Sequence, residues 1–263
     1  MDRLRTTESR GKVTHCAQEA RVGSRTEKGV ALNRQPNYET DTLNAYRSKH
    51  RAAEYKRYHT KDWGWARFST WREQRLLARE LARYSWSSSD RLLDIPCGTG
   101  ILGKLLQSFP FQIVASDISP EMMELARTEY PADRLVECLQ ADITNTRLPR
   151  ESFACIVVLG FLHRVPPDIK RAALREIAAL SSRVVIITCS VDSPAQRLKK
   201  KVLSIIRRNY APAPCPVPLH EIVKECEMAG FDVIRAFMVI PLLSAEAMLV
   251  LEKRQKTEQR QSW

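Results

Sequence analysis

The sequence predicts a single α/β domain built on an open parallel sheet, and the order of its apolar runs carries this prediction. Between residues 91 and 190, short apolar runs of strand length alternate with amphipathic runs of helix length. This alternation is typical of parallel strands that are joined by crossover helices. The strands are expected at residues 91–96, 112–117, 136–142, 153–160 and 183–190, with helices at 101–108, 120–128 and 168–180 between them.

The segments on either side complete the predicted organisation. Residues 1–40 show no sustained period and are expected to form a disordered or loosely attached tail. Residues 41–90 are expected to form a helical cap, because apolar residues recur at helical spacing from 46 to 83. The domain should span 91–254, with a basic insert at 193–217, a helix at 220–229, strands at 232–240 and 246–251, and a polar tail at 255–263.

Composition and charge restrict the classes of function. The chain is 44% hydrophobic and 27% charged, as expected of a globular protein. Its net charge is +12, but residues 91–190 carry 11 basic and 11 acidic residues. The basic excess therefore lies outside the central region, where it could meet nucleic acid, anionic lipid or an acidic substrate, or form a solvated surface.

Cysteine spacing and hydropathy predict the compartment. The seven cysteines form no CxxC pair, which predicts a reducing environment and no zinc site. No apolar run approaches the ~18 residues that a membrane span needs. A cytoplasmic protein is expected.

The turn after the first strand is the most informative segment. It reads Leu-Leu-Asp-Ile-Pro-Cys-Gly-Thr-Gly from residue 92 to residue 100. Gly98 and Gly100 allow backbone angles and a close approach that a Cβ would block, so a ligand is expected against the turn. Gly103 is expected to let the next helix pack closely on the strand.

A carboxylate ends the second strand. Asp117 lies 19 residues after Gly98, close to the ~20 expected for an acid that binds ribose hydroxyls. Open sheets bind ligands in the crevice at the carboxyl ends of their strands. A nucleoside-containing cofactor is therefore expected at these two strand ends.

The turn resembles the first motif of the class I methyltransferases that use S-adenosylmethionine (SAM), more closely than a nicotinamide fingerprint. The resemblance covers roughly residues 90–252. Asp-Ile-Ser-Pro-Glu-Met-Met from residue 117, Gln-Ala-Asp-Ile from 140 and Phe-Ala-Cys-Ile-Val-Val-Leu-Gly-Phe-Leu-His-Arg-Val from 153 resemble later motifs in the same order. The resemblance implies a Rossmann-like sheet of seven strands, mostly parallel with an antiparallel last strand, and helices on both faces.

The resemblance also implies the cofactor and its site. SAM would be the donor and S-adenosylhomocysteine (SAH) the product, with no metal. Asp94 would help to hold the amino-acid part of SAM, Asp117 the ribose, and Asp142 the adenine amine. The implied cofactor-binding residues are Asp94, Pro96, Cys97, Gly98, Thr99, Gly100, Asp117, Ile118, Met122, Ala141, Asp142, Ile143 and Leu159.

His163 is the candidate general base. It follows the fourth strand, where many members of the family read Leu-His-His-Val, and the second histidine is here Arg164. The alternative is that His163 satisfies local hydrogen bonds or lies against SAM. Because the sulfonium donor is already activated, methyl transfer needs little acid–base catalysis. The sequence is therefore compatible with oxygen, nitrogen or carbon as the acceptor atom.

Acceptor contacts are expected in the cap and in the basic insert. The candidates in the cap are Tyr55, Trp63, Trp71 and Arg72, with packing against the sheet as the alternative for the aromatic residues. Residues 197–208 combine apolar and basic side chains, which suits an anionic membrane surface or a lipid-linked, quinone-like or glycan acceptor. The alternative is a basic helix lying on the domain.

The expected function is SAM-dependent methyl transfer to a small-molecule or lipid-type acceptor. RNA methylation, suggested by the net charge, is less favoured because the sequence shows no appended RNA-binding motif. A catalytically inactive SAM-fold binding protein is a third alternative, which Asp117 and the intact glycine turn disfavour. A nicotinamide oxidoreductase is the remaining alternative at the level of fold.

Overall fold

The computed structural model describes residues 49–60, 64–206 and 215–255. The tail expected at 1–40, and all but the first residue of the tail expected at 255–263, lie outside the described residues. So do residues 41–48 and 61–63 of the expected cap and residues 207–214 of the expected basic insert. None of the described helices is both long enough and apolar enough to cross a membrane.

Seven strands in the described residues form one sheet. They are β1 (Arg91–Asp94), β2 (Gln112–Asp117), β3 (Leu135–Gln140), β4 (Phe153–Val158), β5 (Ser181–Ser190), β6 (Phe231–Met238) and β7 (Glu246–Lys253). Their order across the sheet is β3-β2-β1-β4-β5-β7-β6. Strand β7 runs antiparallel to both of its neighbours, and all other pairs are parallel. The predicted seven-stranded, mostly parallel Rossmann-like sheet is confirmed.

Seven described helices accompany the sheet. They are α1 (Lys49–Thr60), α2 (Trp65–Leu81), α3 (Gly103–Leu106), α4 (Pro120–Ala126), α5 (Pro167–Leu180), α6 (Pro194–Ile206) and α7 (Leu219–Met228). Ser119 caps α4, since its hydroxyl accepts a hydrogen bond from the Met122 amide at 3.2 Å. Pro120 occupies the first position of this helix, where its fixed φ angle suits a helical start.

The sheet separates two hydrophobic cores, because successive strand residues point to opposite faces. In β4, Cys155 and Val157 belong to the core that α2 covers, and Ile156 and Val158 to the core that α5 and α7 cover. All four of these side chains are fully buried. Since helices cover both faces of the sheet, ligands can approach the strands only at their ends.

Two helix predictions differ from the structure. The helical period from 46 to 83 belongs to two helices, α1 and α2, and Gly64 immediately precedes the second. The helix expected at 101–108 is reduced to the short α3. The reason is that Gly98 and Gly100 take φ angles of 54° and 75°, which keep the chain in a turn before the helix can begin.

The glycines of this turn serve different purposes. A Cβ on Gly103 would lie 2.2 Å from the carbonyl oxygen of Glu129, and one on Gly100 would lie 2.9 Å from Cα of Ala126. Both residues therefore allow close packing on α4 and the segment that follows it, whereas the expected partner of Gly103 was the strand. Gly98 has open space in its Cβ direction, so it is the glycine whose backbone a ligand can approach.

Candidate functional site

A cavity of about 370 Å³ opens at the carboxyl ends of the central strands. The turn after β1 and the loop after β4 form one part of its wall, and the end of β5 and the start of β7 form another. Helices α1 and α2 close it with residues that include Tyr55, Trp65 and Glu73. The cavity therefore lies where open α/β sheets bind their ligands.

The glycine turn is held by the end of the second strand. The Gly98 amide donates a hydrogen bond to Asp117 Oδ2 at 2.8 Å, and the Ser119 amide donates to Asp117 Oδ1 at 2.9 Å. The Cys97 amide donates to the Ser116 carbonyl at 2.7 Å. One carboxylate thus connects the turn to the start of α4, and burial raises the pKa of Asp117 while the donated backbone hydrogen bonds oppose that rise.

Asp94 is buried beneath the same turn. The phenol of Tyr130 donates a hydrogen bond to Asp94 Oδ2 at 2.5 Å. The pKa of Asp94 is raised to about 7, and burial is the largest cause. The hydrogen bond from Tyr130 opposes this rise, and the neighbouring Asp117 carboxylate adds to it. Tyr130 was missed by sequence reasoning, because a tyrosine after a helix carries no local sign of a buried carboxyl partner.

The structure brings seven of the predicted site residues together in the cavity wall. They are Tyr55, Asp94, Pro96, Cys97, Gly98, Leu159 and His163.

The remaining cofactor candidates lie beside the cavity wall rather than in it. The Ala141 amide donates to the carbonyl of Asp117 at 3.1 Å, which places the end of β3 next to the end of β2. Asp142 Oδ1 accepts from the Thr144 amide at 2.8 Å. The candidates outside the wall are Thr99, Gly100, Asp117, Ile118, Met122, Ala141, Asp142 and Ile143.

His163 lines the cavity as a neutral imidazole. Its pKa is lowered to about 3, mainly by burial and in smaller part by the positive charges of Arg164 and Lys170. Its Nδ1 atom is buried and has no hydrogen-bond partner among the described residues. A ring with so low a pKa holds a proton weakly, so in the ligand-free chain it is better suited to hydrogen bonding than to accepting a proton.

The cap contributes a different set of residues from the one expected. His59 Nδ1 lies 2.9 Å from Thr70 Oγ1, which connects α1 to α2, and both residues line the cavity. Trp71 is 49% exposed, and neither it nor Arg72 belongs to the cavity wall. Trp63 lies outside the described residues. Of the three expected cap residues that the structure describes, Tyr55 alone is placed at the cavity.

Two glutamates in the wall were missed by sequence reasoning. Glu73 of α2 and Glu246 of β7 interact with each other and with the hydroxyl of Thr188 on β5. Burial raises the pKa of both carboxyl groups, and the Glu246 charge raises that of Glu73 further. A glutamate in an amphipathic helix normally reads as a solvated residue, and the sequence offers no signal that Glu73 is covered.

A sheet of this order, with its antiparallel strand β7 between β5 and β6, has the Rossmann-like methyltransferase fold. Residues 92–182 match the methyltransferase domain family. This part of the chain is therefore similar to the methyltransferase domain family, in agreement with the resemblance in the sequence.

Two curated relatives support this assignment. The chain is 27% identical to a demethylmenaquinone methyltransferase of Clavibacter sepedonicus over 127 residues, which are 48% of this chain and 51% of the relative. It is 33% identical to an uncharacterized methyltransferase of Schizosaccharomyces pombe over 87 residues, 31% of each chain. The matched region thus spans about half of the first relative and less than a third of the second.

Solved structures share the fold. The magnesium protoporphyrin IX methyltransferase of Synechocystis, solved with bound SAH, matches with a TM-score of 0.67 at 16% identity, covering 82% of this chain and 99% of that one. A phosphoethanolamine N-methyltransferase of Haemonchus contortus matches with a TM-score of 0.59 at 14% identity, over 82% of this chain and 61% of the other. At these identities the likeness is one of fold.

Proposed function

We propose that this protein is a SAM-dependent methyltransferase that acts on a small-molecule or lipid-type acceptor. The observation that carries the proposal is the carboxylate of Asp117, which holds the Gly98 amide at 2.8 Å next to a cavity. In open α/β sheets, a glycine turn with an acid at the end of the neighbouring strand is an arrangement that binds nucleoside cofactors, the acid meeting the ribose hydroxyls.

The donor would lie along the ends of β1, β2 and β3. Gly98, with open space above its backbone, would face the amino-acid part, and Asp94 would offer it negative charge when ionised. Asp117 would receive ribose hydroxyls and Asp142 the adenine amine, with Ile118, Met122 and Ile143 providing apolar contacts. When bound, SAM supplies a methyl group on a cationic sulfonium.

The protein's own contribution would be alignment in a dry site. Helices α1 and α2 cover the cavity, and the contact between His59 and Thr70 holds them together. A covered cavity keeps water from competing with the acceptor and keeps the acceptor in line with the methyl group. His163, with an unpartnered Nδ1 in the wall, would orient the acceptor through a hydrogen bond, and its role as general base stays a proposal.

Calorimetric titration of the full chain with SAM, SAH and NADH tests the donor assignment. We expect saturable binding of SAM and SAH and none of NADH, because the segments that follow β2, β3 and β4 resemble motifs of the SAM-dependent family in the same order. Binding of NADH in place of the sulfur nucleosides would contradict the proposal and support an oxidoreductase. Binding of neither, by protein that melts cooperatively, would leave the glycine turn as scaffold.

The relatives support an acceptor of modest size. One is named for a quinone precursor and another for a porphyrin. The cavity wall contains the carboxyl groups of Asp94, Glu73 and Glu246 beside the guanidinium of Arg164, so it is not a basic surface. An RNA acceptor would need a basic surface continuous with the pocket, and this wall disfavours it.

We further propose that the rim of the cavity rests on an anionic lipid surface. Trp65, Phe68 and Trp71 form an exposed row on α2, with ring centroids 6.0 and 5.9 Å apart. Lys199 of α6 lies over the Trp65 ring and donates to the Leu243 carbonyl. Through Lys199, this lipid-facing patch joins α6, which contains residues 197–206 of the expected segment 197–208, to α2 and to the turn before β7.

Exposure and charge favour a bilayer as the occupant of the lipid-facing patch. Leu242 is 85% exposed and its neighbour Leu243 is 54% exposed. Aromatic and aliphatic side chains mixed with lysine and arginine are typical of helices that lie in a membrane interface. Trp65 also lines the cavity, so an acceptor dissolved in the bilayer would have a short path to the methyl group.

Vesicle sedimentation tests the lipid-facing patch. We expect the protein to sediment with vesicles of phosphatidylglycerol and phosphatidylcholine, and weakly with phosphatidylcholine alone. The double variant Trp71→Ser/Leu242→Ser should bind the anionic vesicles about tenfold less, because two large apolar side chains no longer insert. Val136→Ser is the matched control, since Val136 is 55% exposed on the edge strand β3. Equal binding of wild type and double variant would contradict the proposal.

A further inference from the structure

A pair of carboxyl groups lies in the cavity away from the predicted donor residues. Glu73 and Glu246 both line the cavity and interact with each other and with the hydroxyl of Thr188. Oxygen Oε1 of Glu73 is buried and has no hydrogen-bond partner among the described residues. A buried carboxyl oxygen without a partner is costly, and a ligand in the cavity would satisfy it.

The position of the pair separates it from the donor side. The Thr188 hydroxyl accepts a hydrogen bond from the Gly160 amide at 2.9 Å, which connects the pair to the loop after β4. In the sheet, β4 lies between β1 and β5. The glycine turn follows β1 and Thr188 is in β5, so the pair lies two strands away from the turn but in the same cavity.

The cavity wall that contains the pair also contains a cation and two histidines. Arg164 is the cation that acts on Glu246, and it lines the cavity. His59 and His163 are neutral, because burial lowers their pKa values to about 4 and about 3. Burial and their mutual contact raise the pKa values of both carboxyl groups, and two carboxyl groups in contact do not both ionise readily, so the pair holds a proton more strongly than solvated glutamates do.

We propose that Glu73 and Glu246 form the acceptor-binding group of this cavity, which takes an attacking hydroxyl or amine and receives its proton. This proposal rests on the methyltransferase function proposed above. The pair offers the unpartnered Glu73 Oε1 as the hydrogen-bond acceptor, and Thr188 holds both glutamates in place. An acceptor that attacks through a carboxylate or a phosphate would face a like charge and would be rejected.

The group-transfer step balances without a further reactant. A bond forms between the acceptor oxygen or nitrogen and the methyl carbon, the carbon–sulfur bond breaks, and its electron pair stays on sulfur to leave neutral SAH. The acceptor's proton passes to the ionised carboxylate of the pair. A carboxylate whose proton affinity is raised by burial is a stronger base than a solvated one, which suits this role.

Binding of three matched ring compounds to the SAH-saturated protein tests the pair. Phenol, benzylamine and benzoate share a ring and differ in the group that would meet Glu73. By calorimetry we expect phenol and benzylamine to bind at least about tenfold more tightly than benzoate, because like charges repel in a buried site. In the double variant Glu73→Gln/Glu246→Gln, which keeps shape and removes charge, the discrimination against benzoate should largely disappear.

Controls separate this result from misfolding and from failure of the donor assignment. Glu221→Gln/Glu227→Gln removes two exposed glutamates of α7 and should leave the discrimination unchanged. SAH binding should persist in the Glu73→Gln/Glu246→Gln variant, since the predicted donor residues are elsewhere. If wild type fails to bind SAH, the proposed function fails, and the same three compounds are then compared on the free protein.

The proton that the pair holds has its own readout. The infrared band of a protonated carboxyl group should be present in wild type at neutral pH and lost in Glu73→Gln/Glu246→Gln. Similar affinities for the three compounds in wild type, absence of binding included, would overturn the proposal. So would discrimination that survives in the double variant.

Discussion

Replacing Asp117 with alanine is expected to reduce SAM affinity by about 100-fold or more, because hydrogen bonds to a buried charged group contribute roughly 1.5–3 kcal/mol each. The carboxylate has two functions that the variant removes together. It accepts from the Gly98 amide at 2.8 Å and from the Ser119 amide at 2.9 Å, and it would receive the ribose hydroxyls. Its loss leaves the glycine turn without its partner and the ribose without an acceptor.

Calorimetry with SAM and SAH measures this effect, and thermal melting reports whether the variant is folded. Asp168→Ala is the matched control, because Asp168 is an exposed aspartate in the first turn of α5, far from the glycine turn in the chain. We expect the control to bind SAM as wild type does. SAM affinity of Asp117→Ala within a few-fold of wild type would show that neither the ribose contact nor the held turn matters for the donor.

Raising the pH from about 6 to about 8 is expected to strengthen SAM binding by up to about tenfold per pH unit below the pKa of Asp94. Burial raises the pKa of this carboxyl group to about 7 in the free protein. SAM carries positive charge, which favours the ionised form, so binding below this pKa releases a proton. The affinity should therefore rise with pH and level off once Asp94 is already ionised.

Tyr130→Phe isolates the contribution of Asp94 from those of Asp117, Glu73 and Glu246, whose pKa values burial also raises. The hydrogen bond from Tyr130 lowers the pKa of Asp94, so its removal should move the levelling-off point to higher pH. Calorimetry in buffers of different ionisation enthalpy measures the released proton directly. Tyr84→Phe, which removes a phenol bonded to Glu252 at 2.9 Å, is the control and should leave the pH profile unchanged.

Most of the architecture and part of the donor site follow from local sequence patterns. The period of two in strands and the glycine turn are properties of neighbouring residues, so the strands begin within two residues of their expected starts. Asp94 and Asp117 were found because each ends an apolar run. The distance along the chain from Gly98 to Asp117 predicted an acid for ribose hydroxyls, and the hydrogen bond of 2.8 Å from the Gly98 amide to Asp117 is a contact that the spacing did not predict.

The residues on the acceptor side of the cavity were much harder to predict from the sequence. The aromatic residues of the cap were candidates either for the acceptor site or for packing against the sheet. Trp71 is 49% exposed and does not belong to the cavity wall, while Glu73, two positions later, lines it. Whether Trp71 or Glu73 reaches the cavity depends on the rotation of α2 about its own axis. The contacts of Leu76, Leu77 and Leu81 with the sheet determine that rotation. A periodic pattern shows that a helix has an apolar face, but it does not show which polar residues lie at the boundary of that face.

The amino-acid sequence alone was sufficient for the order of strands and helices, the glycine turn and the carboxylates at the ends of β1 and β2, because these features arise from residues close together in the chain. The pairing of Glu73 with Glu246, the hydrogen bond from Tyr130 to Asp94 and the neutral state of His163 emerge only in the folded chain. Each depends on burial and on partners from distant segments, and burial is what changes the proton affinity of an ionisable group.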